Sequence, residues 1–73
     1  MIINAIIEKD EFGYFAYVPG LEGCVSQGDT YEEALENINE AVQLYLESLD
    51  NEQISKLSVK YSTIVPLQVA INA

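Results

Sequence analysis

The chain has no histidine, no arginine and a single cysteine, Cys24. Without a second cysteine there is no internal disulfide. One thiol without histidine cannot assemble a zinc site. Nor is there an imidazole to activate Cys24 as a nucleophile, so it reads as a buried structural thiol. Ser26 and Thr30 have no base near them in sequence. No Gly-x-x-x-x-Gly-Lys loop is present, which excludes a P-loop phosphate site. A two-metal nuclease needs carboxylates clustered on adjacent strands. Here Glu8 stands near a strand end, Asp10 and Glu11 in a turn, and Asp29 before a helix. No run is apolar for the ~18 residues that mark a membrane span. The start lacks the basic residues and long apolar stretch of a signal peptide, since Ile2 to Ile7 is short and contains Asn4. The expectation is a cytoplasmic protein that is not an enzyme and holds no cofactor or metal.

Positive charge is scarce as well. Lys9, Lys56 and Lys60 face twelve Asp and Glu, for a net charge of -9. Between Asp10 and Ser55 there is no basic residue, and only Glu8 among the acids lies outside that stretch. Such a field repels nucleic acid and attracts a basic partner. It also simply keeps a small protein in solution, and charge alone does not choose between these readings. With three lysines there is no basic patch for direct contact with DNA.

With 73 residues the chain has room for one domain, residues 1–73. A domain of this size buries only about 60% of its unfolded surface. Small domains usually add disulfides, a metal or a partner subunit. The first two are excluded above, which leaves the partner.

What is present divides into clear elements. Ile2 to Glu8 reads as a strand, and Lys9 to Gly13 as a hairpin turn. Tyr14 to Val18 is a second strand, closed by Pro19 and Gly20. Cys24 to Gln27 is a third, weaker one. Thr30 and Glu33 form a capping box, and Asp29, Glu32 and Glu33 suit the positive end of a helix dipole. The helix is expected from about Tyr31 to about Leu49, with Ala34, Leu35, Ile38, Ala41, Val42 and Tyr45 on one stripe. Asn51 to Tyr61 reads as a connection. Thr63 to Ile71 alternates apolar residues and is expected as a fourth strand, at a sheet edge because of Pro66. The expected fold class is α+β, in the order β-β-β-α-β. A right-handed crossover predicts a four-stranded mixed sheet of order 3-2-1-4 with one helix on one face. The face without the helix then carries apolar groups, among them Phe15, Tyr17 and Ile64. These are the candidate contacts of a homo-oligomer.

The run from Phe12 to Asn39 resembles the HicB-like antitoxin family. In that family an aromatic strand ends in proline, and a Gly-Cys step and Ser-x-Gly-x-Thr lead into a helix beginning Glu-Glu-Ala. Tyr14, Pro19, Leu21, Gly23, Cys24, Ser26, Gly28, Thr30, Glu33, Ala34 and Leu35 fill those places. The resemblance implies a truncated RNase-H-like unit. It implies a type II toxin–antitoxin system in which this domain neutralises a small basic RNA-cleaving toxin, HicA-like, by protein–protein contact. It departs from the pattern at Phe12, where a second glycine is common, and at Gly20, where an acid often follows the proline. Many members also carry a C-terminal DNA-binding domain; the chain ends at Ala73, so a short form lacking it is expected. The candidate toxin contacts are Glu22, Asp29, Glu32 and Glu36. The alternative is an orphan member of the family, a stand-alone homo-oligomer with no toxin.

Overall fold

The computed structural model describes residues 1–57 and 60–72. Three strands come first: β1 (Ile6–Asp10), β2 (Gly13–Tyr17) and β3 (Val25–Gly28). Two helices follow, α1 (Tyr31–Glu47) and α2 (Asn51–Ser55). The strands form one antiparallel meander in the order β1-β2-β3.

This corrects the expected four-stranded, RNase-H-like sheet of order 3-2-1-4. Thr63–Ile71 adds no strand; residues 60–72 carry neither strand nor helix and are exposed throughout. Alternation fits a segment to a sheet without supplying the edge that must receive it. The chain also builds a second helix where a plain connection was expected. Asp50 accepts from the Gln53 amide at 2.8 Å, and the Gln53 side chain accepts from the Asp50 amide at 2.9 Å. That reciprocal capping box, with Glu52 paired to Lys56 at 3.0 Å, organises a single turn of helix.

The first strand also starts later than expected, at Ile6 rather than Ile2. Ile6 pairs with Tyr17, the last residue of β2. Beyond it Pro19 and Gly20 turn the chain away, so among the described residues the strand pairing does not continue over residues 1–5. The loop that follows is tied across its neck, where the Val18 amide donates to the Cys24 carbonyl at 3.2 Å. Gly23 holds φ +80°, a left-handed conformation that favours glycine, and the loop folds Leu21 into the core.

Ala16, Val18, Leu21, Cys24 and Ile38 make the buried core, with Ile3, Ile7, Ala41, Val42, Tyr45 and Leu57 packed around it. Helix α1 covers one face of the sheet. Asn37 Nδ2 donates to the Gln27 carbonyl at 2.8 Å and fastens the helix to β3. Gly28 permits the closest approach: a Cβ there would stand 2.5 Å from the Ala34 nitrogen. The other face is open. The register sets Ile6, Tyr17 and Val25 in one row across it, and Glu8, Phe15 and Gln27 in the next.

Candidate protein-binding surface

The meander brings three chemically distinct features to one end of the sheet. The first is the β1–β2 hairpin, whose last pair is Asp10 and Gly13. Asp10 Oδ1 accepts from the Phe12 amide at 2.8 Å, which stiffens the two-residue turn and leaves Phe12 86% exposed. The second is the end of β3, since Gly28 lies opposite Tyr14. The third is the start of α1. There Thr30 Oγ1 accepts from the Glu33 amide at 3.1 Å, one half of the expected capping box; among the described residues the reciprocal bond from the Thr30 amide to the Glu33 carboxylate is absent.

Between hairpin and helix lies a concavity of about 540 Å³. Asp10, Glu11, Asp29 and Glu32 bring carboxylates to it, and Phe12, Tyr14 and Tyr31 bring aromatic rings. Lys9 is the one cation among its lining residues; its Nζ sits 5.7 Å from the centre of the Tyr14 ring. Tyr14 and Tyr31 meet edge to face, with ring centres 6.5 Å apart. A second concavity of about 550 Å³ adjoins it on the β3 side and shares Asp10 and Asp29. Among the described residues no group of acids, with or without Cys24, is arranged to hold a metal ion. Asp10, Glu11, Asp29 and Glu32 are all exposed.

Asp29 and Glu32 therefore come together at this end. Glu36 stands one helical turn further along α1, in a more apolar groove that it shares with Glu32. Glu22 lies in the loop between β2 and β3, at the opposite end of the sheet. Phe15 and Tyr17 are neighbours on the open face, with ring centres 5.9 Å apart. A hydrogen bond with Glu8, then desolvation, raises the Tyr17 phenol above its ordinary 10.0. Ile64 lies in the C-terminal segment, outside the sheet and 90% exposed. Cys24 is buried, and that burial pushes its thiol above its ordinary 9.0. Asp10, Glu11 and Phe12 were missed as partners of Asp29. The signal was available: in a three-stranded meander the first turn and the end of the third strand fall at the same end.

These features define a class first: a small α+β domain with one long helix on a three-stranded sheet and an acidic, aromatic-lined surface. The family follows from comparison. The sequence model of the HicB-like antitoxins of bacterial toxin–antitoxin systems matches residues 3–68. The chain belongs to the HicB-like antitoxin family. A UPF0150 protein of Helicobacter pylori is 60% identical over 70 residues, covering 96% of this chain and 97% of that protein. A UPF0150 protein of Thermoplasma acidophilum is 46% identical over 67 residues, covering 88% and 97%. A 14.9 kDa protein from the rep-hol intergenic region of Haemophilus phage HP1 is 40% identical over 58 residues, 77% of this chain and 44% of that protein. No solved structure matches. None of the helices of the described residues is long and apolar enough to cross a membrane.

Proposed function

We propose that this chain neutralises a small basic RNA-cleaving toxin, of the HicA-like kind, by binding it through the acidic end of the sheet. The observation that carries the reading is the gathering of Asp10, Glu11, Asp29 and Glu32 around one concavity with a single lysine beside them. Glu36 extends the same charge along the helix. Exposed aromatics among the acids give a basic partner both a counter-charge and a ring face for its cations. The act is binding and not catalysis, and its place is the cytoplasm, where an RNA-cleaving toxin works. The acidity disfavours direct contact with nucleic acid.

The reading predicts that a small basic protein is encoded beside this one, and that protein is the test. Co-expression restores growth to cells that make the neighbour, and the purified pair binds with an affinity that falls as salt rises. Absence of both rescue and binding overturns the reading. The orphan homo-oligomer is then left, favoured by the apolar open face around Phe15 and Tyr17.

A further inference from the structure

The segment Tyr61–Asn72 is exposed at every residue. It carries Ile64, Val65, Leu67, Val69 and Ile71 into water, with Ile64 and Ile71 at 90% and 84% exposure. It holds no charged residue, in a chain of net charge -9. Its root lies beside the N-terminal segment, where Leu57 and Lys60 share a small pocket with Met1, Ile3 and Asn4. From there it leaves the body. The molecule measures 54 × 27 × 17 Å, with a radius of gyration of 15.2 Å. A compact chain of this length has about 11 Å.

The body in turn has a vacant apolar groove of about 820 Å³ between residues 1–5 and α1. Met1, Ile2, Leu35, Val42 and Leu46 form its apolar walls, and Glu32, Glu36 and Asn39 line it as well. Residues 1–5 have no strand partner. Each chain thus offers one unsatisfied donor and one unsatisfied acceptor.

We propose that two copies exchange their 61–72 segments, each seating in the groove of the other, to make a two-fold homodimer. The proposal does not need the toxin, although the groove includes Glu32 and Glu36 of the proposed toxin surface. Reciprocal exchange closes on itself, so neither a segment nor a groove is left over. Charge permits this occupant: a neutral segment enters a groove that Glu32 and Glu36 also line, between two acidic bodies, without setting carboxylates against each other. The area suffices too. Burying a large apolar side chain removes roughly 60–120 Å² from water. Five such residues on each of two segments bury roughly 600–1,200 Å², and with the groove walls they cover this reaches the roughly 1,200 Å² at the lower end of stable interfaces.

Sedimentation equilibrium on the full chain reads the result. The expected mass is twice the 8.1 kDa of one chain. Leu67→Asp with Val69→Asp, in a segment that contributes nothing to the core, is expected to give the monomer with an unchanged circular dichroism spectrum. Leu35→Asp, on the groove wall, is expected to do the same. A second readout keeps the proposal falsifiable if a variant unfolds. Differently tagged chains in a Cys24→Ala background, one carrying Leu35→Cys and the other Val69→Cys, are mixed, unfolded, refolded and oxidised. A disulfide joining the two tags is expected. A wild-type monomer overturns the proposal, as does a disulfide only within a chain carrying both substitutions, since the segment then folds onto its own body. A dimer that survives the segment variants also overturns it and moves the contact to the open face.

Discussion

Two side chains, one absent and one buried, show how tightly the helix and loop are set on the sheet. Gly28 has space for a hydrogen and nothing larger, because the Ala34 nitrogen and the Glu33 backbone carbon lie 2.5 and 2.9 Å from where a Cβ would be. Those are backbone atoms at the start of α1 and cannot swing aside. Gly28→Ala is expected to destabilise the fold by about 1–3 kcal/mol, toward the upper end, as overpacking does. A lowered urea midpoint with an unchanged slope checks it. Cys24 makes a prediction in pH. Its folded-state thiol is raised above 9.0 by burial, so the neutral form is the one the fold favours. Above the ordinary value the unfolded chain loses this proton first. The contribution is therefore whole below about pH 9 and is lost as pH rises through the folded value. Tyr17 acts in the same direction from 10.0 upward. Urea midpoints measured between about pH 8 and about pH 10 should fall less steeply in Cys24→Ala than in the parent chain. Equal slopes would sink the assignment.

At the scale of elements, what sequence could show depended on whether an element is local. The three strands, their turns and α1 were legible, because Pro19–Gly20 and the Thr30–Glu33 box are signals within a few residues of what they decide. Asp29 and Glu32 lie three residues apart at the start of α1, so their closeness is local too. Helix α2 is local as well, and its Asp50–Gln53 box could have been read; the polar composition of residues 51–61 masked it. The fate of Thr63–Ile71 is of another kind. Its alternation marks a segment suited to pairing, but the partner is a tertiary or quaternary fact that no spacing records. The same holds for residues 1–5, whose β propensity is real but whose partner strand ends at Tyr17. The acidic end is intermediate. Asp10 and Asp29 are far apart in sequence and meet only once the meander is drawn in space.

For the whole molecule the question is whether net charge or its placement does the work. Two explanations of toxin binding differ there. If the chain is merely a polyanion, any two acids are equivalent. If the acidic end is the contact, Asp29 and Glu32 matter more than Glu22 and Glu47. Glu22 lies across the sheet from the hairpin, and Glu47 ends α1, sixteen residues beyond its first. At 1.5 Å per residue that is roughly 24 Å away, several Debye lengths at physiological salt. Asp29→Lys with Glu32→Lys changes the net charge by the same amount as Glu22→Lys with Glu47→Lys. None of the four is in the core, so both variants are expected to fold. Rim charges are worth about 0.2–1 kcal/mol each, and reversal turns attraction into repulsion. The first pair is expected to lose about 1–2 kcal/mol, roughly five- to thirtyfold in affinity at low salt, mainly through slower association. The second pair is expected to lose about twofold or less, since its charges are screened from the contact. Association rates measured at two salt concentrations with the neighbouring basic protein decide it. Equal losses from both pairs would mean that the toxin reads only the total charge, and the acidic end would no longer be its site.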